Sequence, residues 1–208
     1  MSIAMPGQML KQLGDVGAQW LRYRRIARAF DGARSLADVV PRGASVLDVG
    51  CGTGFMAYHL SAMERRVMGV DLTDAPEAPI PYTKFDGREL PFEAATFDAV
   101  IFSFVLHHSQ NAAGLLTEAR RVLRASGRIV VYEDIPERWH DQVLCSWHDR
   151  NWRARTGPCT FLSFERWTDL FQAVGLRVAQ RWRLSRLRNP IHPVLGAGFV
   201  LEHAISRA

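Results

Sequence analysis

The chain lacks any apolar run of the roughly 18 residues needed to cross a bilayer, and its opening Met1 to Gly7 lacks a signal-peptide core. A cytoplasmic location is therefore expected. Cysteine is scarce: Cys51, Cys145 and Cys159 are odd in number and form no C-x-x-C pair, which argues against a disulfide framework or a zinc ribbon. There is no internal repeat and no low-complexity segment. The 208 residues, 48% of them hydrophobic, suffice for one α/β domain with a sizeable core but not for two domains and a linker. Acid is short relative to base, with 21 Asp and Glu against 26 Lys and Arg, a net charge of +5. The surplus is arginine: Arg22, Arg24, Arg25 and Arg28 near the start, and Arg181, Arg183, Arg186 and Arg188 near the end. Such a balance suits anionic partners, yet no RNA-binding motif or aromatic-basic interleaving accompanies it, so the arginines read as solvated faces. DNA is not an expected partner, RNA is disfavoured, and contact with a membrane surface stays open without being indicated.

The chain does have a glycine-rich turn. Ser45 to Val49 reads as a buried strand, and Gly50-Cys51-Gly52-Thr53-Gly54 turns it into a helix. Glycines at alternate positions permit dihedrals closed to other residues and let a ligand lie against bare main chain. No P-loop lysine follows, so a nucleoside triphosphate is not the natural occupant. About seventeen residues later, Gly69-Val70-Asp71 ends a second apolar run with an acid, where a ribose diol would find an acceptor. The turn alone does not settle the cofactor: Gly52 to Ala57 fits the dinucleotide pattern G-x-G-x-x-A, and Asp48-x-Gly50-x-Gly52-x-Gly54 admits a second reading by resemblance.

The rest of the chain separates them. Asp48 to Gly54 resembles motif I of the class I S-adenosylmethionine-dependent methyltransferases. Phe85 to Phe92 with Phe97 to His108 resembles the second motif block of that superfamily, and Glu118 to Val131 its third. These blocks stand in order over roughly residues 44 to 134. The nearest subgroup contains the ubiquinone and menaquinone biosynthesis methyltransferases and many small-molecule methyltransferases.

The resemblance implies a doubly wound, Rossmann-like, seven-stranded, mostly parallel sheet whose last strand is reversed. Independently, the chain alternates apolar strands near 45–49, 66–71, 81–85, 97–104 and 127–133 with helices near 54–63 and 111–124, which argues for a parallel α/β sheet. The first forty residues read as helical, with a second short segment from Ser35 to Val40. Ser163 starts a helix that Gly175 stops. Leu176 to Leu184 and Val194 to Leu201 read as strands joined by Arg188-Asn189-Pro190, and so close a pair should be antiparallel. One domain is expected, with a helical cap over 1–43, a cofactor-binding core over 44–134, a helical lid over 135–162 and a helix with a strand pair over 163–208.

By the resemblance, Asp48, Gly50, Cys51, Gly52 and Gly54 hold the methionine and ribose portions of S-adenosylmethionine. Asp71 with Leu72 receives the ribose, Asp86 with Gly87 meets the adenine, and Ser103, Phe104 and His107 line the cofactor. Asp98 reads as structural, since it begins a strand at the end remote from the ligand. His108 and Glu133 are candidate acid-base groups, because histidine titrates near neutrality and both follow strand ends. Between Pro136 and Phe164, Trp139, Val143 and Trp147 recur four residues apart beside His140, Leu144 and His148, so a lid helix would carry an apolar stripe next to a histidine stripe. His140 and His148 join the catalytic candidates. The irregular spacing of His140, Cys145 and His148 argues against a metal there, and no metal is expected. The function these readings point to is methyl transfer from S-adenosylmethionine to a small, apolar or aromatic acceptor. A non-catalytic adenosyl-binding partner, an RNA methyltransferase and an NAD-type oxidoreductase are the rivals.

Overall fold

The computed structural model describes residues 6–186 and 192–204, with side chains from residue 16 onward. A long helix α1 (Pro6–Ala37) leads into β1 (Ser45–Val49), α2 (Phe55–Ala62), β2 (Arg66–Asp71) and β3 (Tyr82–Lys84). After β4 (Phe97–Ser103) come a single 3-10 turn (Leu106–His108), α3 (Ala112–Val122) and β5 (Leu123–Asp134). The chain closes with α4 (Trp139–Thr156), α5 (Phe164–Ala173), β6 (Leu176–Leu184) and β7 (Gly196–His203). The expected second helical segment at Ser35 is instead the end of α1. The expected loop at Arg188-Asn189-Pro190 and the opening Met1 to Met5 lie outside the described residues.

The seven strands form one sheet in the order β3-β2-β1-β4-β5-β7-β6. β1 pairs in parallel with β2 and β4, and β4 with β5, while β7 runs antiparallel to both β5 and β6. The reversed last strand is as expected. The order turns back between β1 and β4, and in an open α/β sheet a ligand binds beyond the strand ends at such a point.

β1, β4, β7 and the later part of β5 are buried on both faces and read as near-continuous apolar runs, while the edge strands β3 and β6 are partly exposed. Within β4, Val100 and Phe102 face a cluster with Leu47, Val131, Trp167, Phe171 and Phe199, under α3 and α5. Ala99 and Ile101 face the other side with Val46, Val130 and Tyr132, under Ala33 and Leu36 of α1 and Ala57 and Leu60 of α2. β5 begins four residues before its expected start: Phe97 pairs with Leu123, and the register then shifts so that Ala99 pairs with Arg128. Asp98 is structural as expected, accepting from the Ser45 amide at 2.8 Å and from Arg124 Nη1 at 2.7 Å.

Arg65 ties α1 to the sheet. Its guanidinium, buried, donates to the carbonyls of Ala37 (2.7 Å), Val40 (3.0 Å from Nε) and Met63 (2.5 Å), groups that the α1 and α2 C-termini leave without helical partners. Among the described residues no helix is long and apolar enough to cross a membrane.

Candidate functional site

A single cleft of about 1440 Å³ opens along the carboxyl ends of β1, β2, β4 and β5. Asp48, Gly50, Cys51, Gly52, Asp71, Leu72, Asp86, Gly87, Ser103, Phe104, His107, His108 and His148 all border it. Of the remaining sequence candidates, Gly54 and Glu133 stand behind the lining, and His140 lies elsewhere.

The glycine turn is tight where it meets protein and open where it meets the cleft. Gly50 has φ +72°, and a Cβ there would stand 2.5 Å from Val105 Cγ2. Gly52 also has positive φ, at +53°, but no atom of the described residues lies within 4 Å of its Cβ position. The Gly52 amide donates to Asp71 Oδ2 at 2.8 Å, and the Thr73 amide to Asp71 Oδ1 at 3.1 Å. Asp71 thus clamps the turn while each oxygen keeps acceptor capacity for a second donor. Cys51 fills the space beside Gly69, where a Cβ would come within 2.8 Å of its sulfur, and burial with the Asp48 and Asp71 charges pushes its thiol up.

Asp48 is 1% exposed, and its Oδ2 has no hydrogen-bond partner among the described residues. Burial first, and the nearby Asp71 charge second, raise its carboxyl to about 7. An unpartnered buried carboxylate oxygen beside an open cleft calls for a cation or a donor from the ligand. The donor set suits S-adenosylmethionine: a buried acid for its cationic end, Asp71 for a diol, and bare backbone at Gly52. Asp86 serves as a turn residue as well as a wall. Its Oδ1 accepts from the amides of Arg88 (2.8 Å) and Glu89 (3.2 Å), bonds that hold the carboxyl below the usual range. Phe104 adopts φ +59°, a left-handed conformation that costs a bulky residue energy and turns the chain sharply at the end of β4.

The other end of the cleft is built by histidines. Glu133, fully buried at the end of β5, accepts from the amides of Val105 (3.1 Å) and Leu106 (2.7 Å) through Oε1. Its Oε2 lies 2.5 Å from His107 Nδ1. Burial pulls the His107 pKa down, but the Glu133 charge and hydrogen bond, aided by Asp134, outweigh it and leave it raised. Glu133 therefore shapes the loop after β4 and orients His107, whose Nε2 is buried without a partner among the described residues.

His108 Nε2 lies 3.2 Å from His148 Nε2, and its Nδ1 lies 3.2 Å from both Thr156 Oγ1 and Cys159 Sγ. Burial, then the neighbouring His107 and His148, lower His108 to about 3. Burial, then His107 and His192, lower His148 to about 4. Both rings are neutral at physiological pH, and such weakly basic imidazoles take up a proton reluctantly. His140, by contrast, lies 3.4 Å from Arg186 Nη1 and beside the buried Asp141 that Arg186 pairs with.

α4 occupies the stretch where a lid was expected, and it is pinned at both ends. The Arg138 amide donates to Asp141 at 2.9 Å at its start. At its end Gln110 Nε2 donates to the carbonyls of Thr156 (2.9 Å) and Pro158 (3.1 Å), and the Thr160 amide donates to the His107 carbonyl at 2.7 Å. The expected apolar stripe of Trp139, Val143 and Trp147 faces solvent. The tryptophan at the cleft is Trp152, its ring stacked on His148 with centroids 6.0 Å apart. Trp20 and Tyr23 of α1 are also exposed. The part of α1 that borders the cleft is its later half, Arg25, Arg28, Ala29 and Gly32, steadied by the Arg22 to Glu77 ion pair at 3.2 Å. Thr156, Cys159 and His192 were not singled out as site residues by the sequence, whereas Trp152 stands with Trp139 and Trp147 in the aromatic stretch between Pro136 and Phe164. A four-residue step from His148 to Trp152 was the one available signal.

Known proteins similar to this chain match it over the glycine turn and the strands around it. Residues 47–131 match the methyltransferase domain family. The demethylmenaquinone methyltransferase of Tropheryma whipplei (strain Twist) is 34% identical over 103 residues, covering 45% of this chain and 43% of the relative. The ubiquinone/menaquinone biosynthesis C-methyltransferase of Desulfotalea psychrophila (strain LSv54 / DSM 12343) is 34% identical over 107 residues, covering 46% and 44%. The chain thus spans under half the length of these curated relatives. Among solved structures, the 1,6-didemethyltoxoflavin-N1-methyltransferase of Burkholderia thailandensis, with 1,6-didemethyltoxoflavin and S-adenosylhomocysteine bound, superposes with a TM-score of 0.67. It is 20% identical, with 99% of this chain and 93% of that one covered, and at that identity it shows the fold. Motif order and sequence match coincide over the same stretch: residues 47–131, less than half of the chain, are similar to the methyltransferase domain family, and the sheet shares the fold of the solved methyltransferase above.

Proposed function

We propose that the chain binds S-adenosylmethionine at the glycine-turn end of the cleft and methylates a small, apolar or aromatic acceptor at the histidine end. The observation that carries this reading is the continuity and size of the cleft. A pocket for one drug-sized ligand occupies roughly 300–1,000 Å³, and about 1440 Å³ leaves room for a cofactor and an acceptor in one enclosure.

When bound, the cofactor supplies an electrophilic methyl group on a cationic sulfur. The protein's part is to position and to exclude water. Asp48 offers an unpartnered buried oxygen to positive charge, Asp71 and the Gly52 backbone receive the ribose side, and Asp86, Gly87 and Leu72 border the adenine side. Ser103 and Phe104 line the middle, and Trp152 on α4 walls the acceptor side beside His108 and His148. The relatives' names support a small-molecule acceptor, but one is a C-methyltransferase and another an N1-methyltransferase, so they leave the methylated atom to this chain's own geometry.

The deciding experiment is calorimetric titration with S-adenosylhomocysteine, with NADH as the competing candidate. Saturable binding that Asp71→Ala weakens by about 10- to 100-fold, the worth of one or two hydrogen bonds to a charged acceptor, supports the reading. Binding of NADH without S-adenosylhomocysteine overturns it.

A further inference from the structure

The geometry points to a divalent transition-metal site of the zinc type, formed by His107, His108 and His148 where the cleft meets α4, with one coordination position open to the cleft. Sequence spacing gave no hint of it, since the three ligands come from the turn after β4 and from the middle of α4.

Three observations converge. One ligating atom from each of the three residues can be chosen so that all lie within 4.8 Å of one another, and among the described residues this is the one such group of His, Cys, Asp or Glu. The 3.2 Å between His108 Nε2 and His148 Nε2 is close to the separation of about 3.3 Å that two imidazole nitrogens take around a tetrahedral ion at about 2.0–2.1 Å. Between the bare rings, that short contact is a hydrogen bond from one nitrogen to the other; around an ion, the same two atoms are ligands.

His107 is the second, independent observation. It is 1% exposed, and its Nε2 has no partner among the described residues although it is buried at the cleft wall. Its Nδ1 faces the acceptor-only carboxylate of Glu133 at 2.5 Å, so Nδ1 carries the ring proton and Nε2 presents its lone pair when the ring is neutral. A carboxylate behind a histidine is the arrangement that fixes the tautomer and raises the basicity of a metal-bound imidazole. An orphaned buried ring nitrogen is costly unless something occupies it.

The third observation is what surrounds the other two rings. His108 Nδ1 is engaged by Thr156 Oγ1 and Cys159 Sγ, which orients its Nε2 toward His148. Three protein ligands with a fourth side open to a ligand cavity make a site that can take a further donor. That position faces the space assigned above to the acceptor, so the donor is an oxygen or nitrogen of the acceptor. This last step rests on the proposed methyltransferase reading; the metal site itself does not.

The test is titration of the untagged, EDTA-stripped full chain with Co2+, a spectroscopic stand-in for Zn2+. One equivalent should bring up the intense visible absorption of a tetrahedral or five-coordinate ion, and Zn2+ should displace it. His148→Ala and His148→Gln should both abolish the band, Glu133→Gln should weaken binding by about 10- to 100-fold, and His140→Ala, on the same helix but outside the cluster, should retain it. Absence of stoichiometric binding in the wild type, or binding that survives both His148 variants, overturns the site. S-adenosylhomocysteine titrated into the same EDTA-stripped samples reports separately on the cofactor reading. It also confirms that each variant is folded.

Discussion

His107 Nδ1 and Glu133 Oε2 stand 2.5 Å apart with both side chains closed to solvent, joining the turn after β4 to the end of β5. The other Glu133 oxygen accepts two backbone amides of that turn. One carboxylate therefore fixes both the path of the chain at the cleft and the direction of the imidazole within it.

Glu133→Gln keeps an acceptor for the Val105 and Leu106 amides but removes the charge facing His107. Breaking one side of a buried pair costs about 3 kcal/mol. His107 has a raised folded pKa, so its contribution is complete below the unfolded histidine value near 6.5 and is lost as pH rises through the folded value. Urea unfolding of metal-free protein should therefore show the wild-type advantage over Glu133→Gln to be larger at pH 5.5 than at pH 9. A pH-independent difference would mean that His107 does not hold a proton against Glu133.

Asp48 acts in the same direction for a different reason. Its carboxyl is raised from 3.8 to about 7, so the folded state holds a proton that the unfolded chain releases, and stability falls as pH rises across that interval. Three pH units at about 1.4 kcal/mol each set an upper scale of about 4 kcal/mol. Asp48→Asn should lose this dependence and become the more stable protein at pH 8 in the absence of ligand. It should also bind S-adenosylmethionine more weakly there, because the ionised acid is what a cation selects. Parallel unfolding profiles for the two proteins between pH 4 and 8 would remove Asp48 as an ionisable partner.

Two glycines two residues apart should fail differently. Alanine at Gly50 meets Val105 at 2.5 Å on top of its positive φ, so Gly50→Ala should lower thermal stability by more than 2 kcal/mol equivalent. Alanine at Gly52 meets nothing among the described residues, so its stability cost is about 1 kcal/mol for the left-handed backbone, while its methyl enters the cleft. Calorimetry should find Gly52→Ala folded and defective in S-adenosylhomocysteine binding. Full affinity in that variant would place the cofactor away from the turn.

The core of this fold was legible because parallel strands buried on both faces write themselves as apolar runs, and because the Gly50, Gly52 and Gly54 turn and the Asp71 strand end are local patterns. β5 was misjudged at its start because the register shift opposite Phe97 lets Leu123 pair before the Gly127 run begins. The histidine cluster was only half visible. His107 and His108 are adjacent in sequence, but their approach to His148, forty residues on, depends on how Gln110 and the His107 carbonyl hold the end of α4, and no periodicity encodes that. The same is true of the Trp147 stripe. Four-residue spacing shows that residues share a helix face but not which face is covered, and here the covered face carries Cys145 and Asp141, both buried, while Trp139, Val143 and Trp147 remain exposed.

Acceptor recognition is therefore tested at Trp152 and not at a member of the exposed stripe. The Trp152 ring stacks on His148, lies 5.3 Å from His108 and carries the Arg155 guanidinium 5.5 Å from its centroid, so it is an aromatic wall held in place from two sides. It borders the histidine end of the cleft and not the glycine turn. Trp152→Ala should therefore raise the acceptor KM by about tenfold, equivalent to about 1.4 kcal/mol, and leave S-adenosylhomocysteine affinity within a factor of two. Trp147→Ala, at an exposed position outside the cleft lining, should change neither. If Trp152→Ala instead weakened the cofactor and spared the acceptor, the two ends of the cleft would have to be exchanged.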